Sequence, residues 1–116
     1  VAQAFGAEAK LTFTRQYPPV VNNHECVDRV QEAVRELFGE QQLHDQEPVM
    51  PSEDFADYLK TTPGAFFFVG SGDGSHRPAG HGDGPCLLHN SSYDYNDACL
   101  PIVASVFARV TENYLR

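Results

Sequence analysis

The sequence predicts an α/β fold, because segments with the period of a strand are interspersed with segments of helical period. Residues 9–17 alternate in character, with Leu11 and Phe13 on one side of the extended chain, which indicates a half-buried strand. Residues 65–69, Ala-Phe-Phe-Phe-Val, form an apolar run between two glycines, as a strand buried on both faces does. Two longer segments repeat apolar residues every three or four positions, which predicts amphipathic helices.

The first helix is predicted to begin after Asn22 or Asn23 and to end at Gly39. Glu25 lies three residues after Asn22, in the capping-box position, where its charge suits the positive end of the helix dipole. His24 is interpreted as a solvated or capping side chain of the first turn. The residues at helical spacing predict one buried face: Cys26, Val27, Val30, Ala33, Val34, Leu37 and Phe38.

A second, shorter helix is predicted after Pro51, with Ser52 as its N-cap and Glu53 and Asp54 in its first turn. It must end before Pro63. Acids at a helix N-terminus usually interact favourably with the helix dipole, and we favour that interpretation. The alternative is a pair of carboxylates close to a cation or a metal.

The last helix is predicted over residues 98–114, with Asn96 or Asp97 as its cap and Pro101 in its first turn. Its apolar face would consist of Leu100, Val103, Val106, Phe107, Val110 and Tyr114. Before it, residues 70–85 hold six of the nine glycines and predict a surface loop without a phosphate-binding motif. His76 and His81 are interpreted as exposed loop histidines.

Composition limits the classes of partner. The 116 residues include 16 Asp and Glu against 8 Lys and Arg, which gives a net charge of -8. This charge disfavours nucleic-acid and anionic-membrane partners, and no apolar run approaches the ~20 residues of a membrane span. Three cysteines without a C-x-x-C pair favour reduced thiols in a cytoplasmic protein.

Two features predict that the chain is part of a longer protein. It opens on Val-Ala-Gln-Ala-Phe-Gly, which resembles the last turn of a helix closed by a glycine. The strand predicted over residues 65–69 would also need more neighbours than 116 residues easily supply.

Residues 86–97 form the most plausible site, because they concentrate polar and metal-binding side chains between a loop and a helix. His89 is the best candidate metal ligand. Asp94, Asp97 and the turn at residues 52–54 could lie near it and hold its imidazole in place. Cys86 and His89 also form a C-x-x-H pair, although a second pair is lacking. From the residues alone, His89 is as well explained as a core or loop histidine.

Three ordered motifs narrow these alternatives: residues 50–56, Met-Pro-Ser-Glu-Asp-Phe-Ala; residues 63–70, Pro-Gly-Ala-Phe-Phe-Phe-Val-Gly; and Leu-His-Asn at 88–90 with Tyr-Asp-Tyr-Asn-Asp at 93–97. Together they closely resemble the C-terminal part of the metal-dependent amidohydrolases, which include hippurate hydrolases, N-acyl-amino-acid amidohydrolases and aminoacylase/carboxypeptidase enzymes. Residues 17–22 and the helix after them are also similar to that family.

This resemblance implies a zinc-peptidase-like α/β catalytic domain with an inserted α+β satellite, or lid, domain. Residues 1–45 would be the end of the lid, through which a homodimer could form. Residues 46–116 would be the C-terminal part of the catalytic domain.

The resemblance also implies hydrolysis of the amide bond of N-acyl amino acids or small peptides at a bimetal centre of zinc, manganese or nickel. His89 matches the last histidine ligand. The other ligands and the glutamate base would lie before this chain, which would therefore hold no catalytic residue and be inactive alone. The residues expected near the pocket for the substrate carboxylate are Gly70, Ser71 and Gly72. Those expected to support the site are Ser52, Glu53, Asp54 and Asn90.

A competing hypothesis is a stand-alone, non-catalytic α/β domain that binds a metal or a partner. It predicts a compact monomer with a closed core. A piece of a longer enzyme should instead expose apolar surface on the segment containing Phe66, Phe67 and Phe68.

Overall fold

A computed structural model of the chain describes residues 1–78 and 86–116, and within these ranges its regular structure is helical. The α-helices are α1 (His24–Phe38), α2 (Phe55–Tyr58) and α3 (Cys99–Tyr114), and short 3-10 helices span Ala2–Phe5 and Glu40–Gln42. No described helix is both long and apolar enough to cross a bilayer.

Helix α1 forms where the sequence predicts it. The side chain of Asn23 accepts a hydrogen bond from the Cys26 N–H at 3.1 Å, and Gly39 ends the helix with a φ of 90°. Ala33 is fully buried, and the other residues of the predicted apolar face are partly buried. The capping box with Asn22 is wrong, because Asn23 caps the helix and the side chain of Asn22 is bound elsewhere.

Helix α3 lies where the sequence predicts it, with a small shift at its start. Of its predicted apolar face, Val103, Val106 and Val110 are buried or partly buried. The prediction is wrong for Leu100, Phe107 and Tyr114, which are exposed. The residue at its N-cap is Ala98, which makes no side-chain capping bond, so neither Asn96 nor Asp97 is the cap. The Asn96 side chain instead accepts from the Ala98 N–H at 3.2 Å. Pro101 is the third helical residue, where its missing N–H costs nothing.

Helices α1 and α3 pack against each other. The Glu36 carboxylate accepts from Arg109 Nη1 at 3.0 Å and from Asn113 Nδ2 at 3.2 Å. At the same interface the Arg29 guanidinium lies 5.1 Å from the centroid of the Tyr114 ring. The contact joins residues from both sides of the domain boundary predicted at residue 45, and that boundary stays a prediction.

Helix α2 is a single turn whose first N–H groups are partly satisfied by an acid. Glu53 Oε1 accepts from the Phe55 N–H at 3.0 Å, so Glu53, and not the predicted Ser52, makes the side-chain bond at this end. On the inner face Ala56 is buried. Gly64 approaches the helix so closely that a Cβ there would lie 3.1 Å from Leu59 Cδ2.

The two predicted strands are not formed within the described ranges. Residues 9–17 carry no regular structure, and Leu11 and Phe13 are 91% and 78% exposed. At residues 65–69, both backbone groups of Phe66 bond to the Asn22 carboxamide, N–H to Oδ1 and C=O to Nδ2, each at 2.8 Å. A strand requires the peptide groups of a second strand, and the described residues supply a side chain in that place. The β part of the α/β prediction therefore remains a prediction for a longer protein.

The described chain buries little apolar surface. Its buried hydrophobic residues are Ala33, Ala56, Cys99 and Val106. The accessible surface is 9768 Å², against about 6,300 Å² for a folded monomer of this mass. The radius of gyration is 20.1 Å, where a compact domain of this length has about 13 Å. Residues 1–78 and 86–116 thus do not enclose a hydrophobic core of their own.

Candidate functional site

His89 lies in a tight turn with an unusual backbone conformation. The Asn90 N–H donates to the Leu87 carbonyl at 3.1 Å, which places His89 at the third position of the turn. Its φ of 66° is the only positive value of a non-glycine residue in the described ranges, as a type II turn requires at this position. A left-handed conformation costs a residue with a Cβ about 1–2 kcal/mol. The turn therefore holds the backbone of His89 in a constrained conformation and leaves its imidazole exposed.

Asn90 stabilises this turn from within. Its Oδ1 accepts from the Ser92 N–H at 2.8 Å, and its backbone carbonyl accepts from the Tyr93 N–H at 3.0 Å. These bonds form a second tight turn directly after His89. The support for His89 predicted for Asn90 would thus act through the backbone of the turn.

Two side chains of the glycine-rich segment hold the other end of this loop. His76 Nε2 donates to the Asp94 carbonyl at 2.8 Å, and Arg77 Nη1 donates to the Ser92 carbonyl at 3.2 Å. Both side chains are partly buried. The interpretation of His76 as an exposed loop histidine is therefore wrong, because residues 76 and 77 fold back onto residues 92–94. His81 lies outside the described residues.

Gly70, Ser71 and Gly72 are tied to the start of α3. The Ser71 carbonyl accepts from Asn96 Nδ2 at 3.1 Å, and the Gly70 carbonyl accepts from the Cys99 thiol at 3.5 Å. The structure thus brings the residues predicted for the substrate carboxylate next to the loop that carries His89.

Asp73 closes a local turn next to these residues. Its carboxylate accepts from the Ser75 N–H at 2.9 Å. Hydrogen bonds from the backbone and side chain of Ser75 lower the pKa of the Asp73 carboxyl below its ordinary value. Because these bonds occupy the ionised group, Asp73 acts as a turn-forming residue in this geometry.

The turn at residues 52–54 joins the site only indirectly. Glu53 bonds to the backbone at the start of α2, and the interaction of Glu53 and Asp54 with the helix dipole stays a prediction. The helix begins at Phe55, so placing these two acids in its first turn was wrong. The Phe55 ring contacts the Phe66 ring at a centroid distance of 5.6 Å and so links α2 to the segment before Gly70. The hydrogen bonds found within residues 1–78 and 86–116 do not connect Ser52, Glu53 or Asp54 with His89. Their supporting role stays a prediction.

The His, Cys, Asp and Glu side chains of the described residues can supply one metal ligand but not a complete metal site. In the part of the chain that the structure describes, no three His, Cys, Asp or Glu side chains come together as a metal would require. Cys86 of the C-x-x-H pair donates its thiol hydrogen to the Asp94 carbonyl at 3.4 Å. An exposed imidazole such as that of His89 remains a suitable single ligand for a divalent metal.

Comparison with known proteins identifies the class. The model of the peptidase family M20/M25/M40 matches residues 6–113, and the chain belongs to this family. Peptidases of the family are in general dependent on divalent metals.

Similar proteins carry hydrolase names. The chain is 33% identical to the hippurate hydrolase of Campylobacter jejuni, over 100% of this chain and 28% of the relative. It is 32% identical to the IAA-amino acid hydrolase ILR1-like 2 of Arabidopsis thaliana, over 85% of this chain and 21% of the relative. It is 30% identical to the putative amidohydrolase YhaA of Bacillus subtilis, over 98% of this chain and 27% of the relative.

The chain thus spans between about a fifth and just over a quarter of the length of these curated relatives. No solved structure matches it.

Proposed function

We propose that this chain is the C-terminal part of a metal-dependent amidohydrolase that cleaves the amide bond of N-acyl amino acids or small peptides. The match of residues 6–113 to one peptidase family carries the proposal. The relatives named as hydrolases of hippurate and of IAA-amino acid conjugates support the substrate class.

In this proposal residues 1–45 end a lid domain, through which a homodimer can form, and residues 46–116 complete a catalytic domain. The open shape of the described chain supports its being part of a larger body. The surface and radius of gyration given above disfavour the alternative, a compact stand-alone binding domain. With three free cysteines, we place the complete enzyme in the cytoplasm.

His89 holds one metal of a bimetal centre of zinc, manganese or nickel, and the other ligands and the glutamate base come from sequence outside this chain. When bound, such a metal polarises a carbonyl and lowers the pKa of water. The Gly70–Gly72 segment receives the substrate carboxylate. Its attachment to the loop of His89 through Asn96 supports this assignment.

The activity test compares the complete enzyme with the 116-residue chain. Both are assayed on N-benzoyl and N-acetyl amino acids in the presence of zinc, manganese or nickel. We expect hydrolysis by the complete enzyme alone, because the described residues hold no complete metal site. Metal-dependent hydrolysis by the isolated chain would refute its being an incomplete part. A complete enzyme inactive on every acylated amino acid and small peptide would refute the substrate class.

The ligand test replaces His89 by Ala in the complete enzyme and measures bound metal per protein by atomic absorption. We expect the loss of about one metal equivalent and a fall in activity of several orders of magnitude, because a lost ligand opens the coordination sphere. His24→Ala is the matched control, since His24 is exposed and paired with Asp28 on α1. An unchanged metal content in His89→Ala would contradict the ligand role.

A further inference from the structure

We infer that His76 and Arg77 are positioning residues for the turn that carries His89. Their side chains hold the backbone carbonyls of residues 92 and 94 and so set the direction of the His89 imidazole. The inference rests on the proposed role of His89 as a metal ligand, and it assigns to the glycine-rich segment a function in assembling that ligand.

The first support is the convergence of donors on two carbonyl groups. The Asp94 carbonyl accepts from His76 Nε2 at 2.8 Å and from the Cys86 thiol at 3.4 Å. The Ser92 carbonyl accepts from Arg77 Nη1 at 3.2 Å. The adjacent side chains of His76 and Arg77 thus bind the backbone of residues 92–94 at two points.

The chemistry of the acceptor fixes the hydrogen on His76. A carbonyl oxygen only accepts, so His76 Nε2 must carry the hydrogen of this bond. Through Nε2, His76 therefore acts on the backbone of the loop.

The glycine-rich segment is shaped to bring these donors close. Arg77 donates to the Gly74 carbonyl from its backbone N–H at 3.1 Å and from Nε at 3.4 Å. Gly74 has a φ of 89°, and a Cβ there would lie 3.3 Å from the Cβ of Cys86. Glycine permits both the backbone conformation and this approach of the two segments.

The conformation of His89 explains why its turn needs the contacts from His76 and Arg77. A non-glycine residue keeps a left-handed φ only where its surroundings fix it. Asn90 fixes the turn from inside through Ser92 and Tyr93. His76 and Arg77 fix it from outside through the same stretch of backbone. Without the outer contacts the turn can relax and move the imidazole away from the metal.

The test uses the complete enzyme and measures zinc affinity by competition with a chromophoric chelator, together with the absorption spectrum of the cobalt-substituted protein. The variants are His76→Ala, Arg77→Ala and His76→Gln. The controls are His24→Ala and Arg35→Ala on α1, and His89→Ala reports the ligand itself.

We expect His76→Ala and Arg77→Ala each to weaken zinc binding about 5- to 10-fold, as the loss of one or two hydrogen bonds does. The double variant should weaken it about 10- to 100-fold. Metal stoichiometry at saturation should stay unchanged. His76→Gln should restore the affinity and the cobalt spectrum, because the glutamine amide can donate to the Asp94 carbonyl in place of Nε2.

The outcomes separate this inference from the proposed function. If His89→Ala loses its metal while His76→Ala and Arg77→Ala bind zinc as tightly as the α1 controls, the positioning role is overturned and the ligand role stands. If His76→Ala weakens binding and His76→Gln does not restore it, the hydrogen bond to Asp94 is not the cause, and the inference is also overturned. If His89→Ala keeps its full metal content, the ligand role itself fails.

Discussion

Asn22 joins two parts of the chain that are 44 residues apart. Its carboxamide donates to the Phe66 carbonyl and accepts from the Phe66 N–H, each at 2.8 Å. The side chain thereby imitates the peptide group of a neighbouring strand. One residue further on, the Asn23 N–H donates to the Gly64 carbonyl at 2.9 Å, while the Asn23 side chain caps α1. The two asparagines thus fix the start of α1 against the segment that leads to Gly70.

Replacing Asn22 by Ala should lower the free energy of unfolding of the complete enzyme by about 1–2 kcal/mol, because two hydrogen bonds are lost and the backbone groups of Phe66 lose their partner. Urea unfolding followed by circular dichroism measures this change. Asn23→Ala is the comparison, with an expected loss of about 1 kcal/mol from the helix cap. A stability of Asn22→Ala equal to that of the wild type would show that the Asn22 contact contributes nothing.

At the scale of single residues, contacts between near neighbours could be predicted from the sequence, and contacts between distant residues could not. Asn23 could be predicted as a cap because its partner lies three residues away in a periodic segment. The bond from His76 to Asp94 spans 18 residues and follows no period. A histidine among glycines therefore carried no sign that it would fold back onto the loop of His89.

The contact between α1 and α3 centres on Glu36. Arg109 and Asn113 lie one turn apart on α3 and both donate to Glu36 Oε2. The hydrogen bond from Arg109, followed by that from Asn113, lowers the pKa of the Glu36 carboxyl below its ordinary value of 4.5. The ionised form is therefore favoured by the folded state.

This shift predicts an acid-dependent weakening of the α1–α3 contact. A carboxyl with a lowered folded pKa contributes stability above its unfolded pKa and loses it as the pH falls through the folded value. The stability difference between wild type and Glu36→Gln should therefore be largest near neutral pH and shrink in acid. Thermal unfolding of the complete enzyme across this pH range measures it. Glu32→Gln, at an exposed position of the same helix, is the control for the loss of a glutamate from α1.

At the scale of elements, helices were predictable because each contains its own hydrogen bonds. The apolar face and the glycine end of α1 and the proline near the start of α3 appear where the sequence places them, whereas Leu100, Phe107 and Tyr114 of the face predicted for α3 are exposed. The strand predicted at residues 65–69 depends on the peptide groups of another strand, and within the described residues Asn22 takes that place. Its apolar run can be recognised in the sequence, but its neighbours cannot.

The whole molecule exposes apolar surface that a finished domain would cover. Phe68 is 55% exposed and Phe107 is 59% exposed, although Phe107 contacts the Phe67 ring at 5.9 Å. Leu100 on α3 is also exposed. Large proteins bury such apolar side chains between a sheet and its helices.

The isolated 116-residue chain should therefore bind the dye 1-anilinonaphthalene-8-sulfonate and scatter X-rays as an expanded particle, with a radius of gyration nearer to 20.1 Å than to the ~13 Å of a compact domain. The complete enzyme should bind little dye. Small-angle scattering and dye fluorescence test both statements on the same samples. A compact chain that binds no dye would favour the stand-alone domain.

The pair of hydrogen bonds between Asn22 and Phe66 also affects the chemical ageing of the protein. Asparagine is a thermolabile residue, and hydrolysis of its amide leaves a carboxylate of nearly the same shape. That carboxylate can still accept from the Phe66 N–H, but it places an acceptor against the Phe66 carbonyl where Nδ2 donated. A single deamidation would turn an attractive contact into a repulsive one and weaken the attachment of Phe66 to the start of α1, where the bond from the Asn23 N–H to the Gly64 carbonyl remains. The useful lifetime of the enzyme would then be set in part by one side-chain amide, far along the chain from His89.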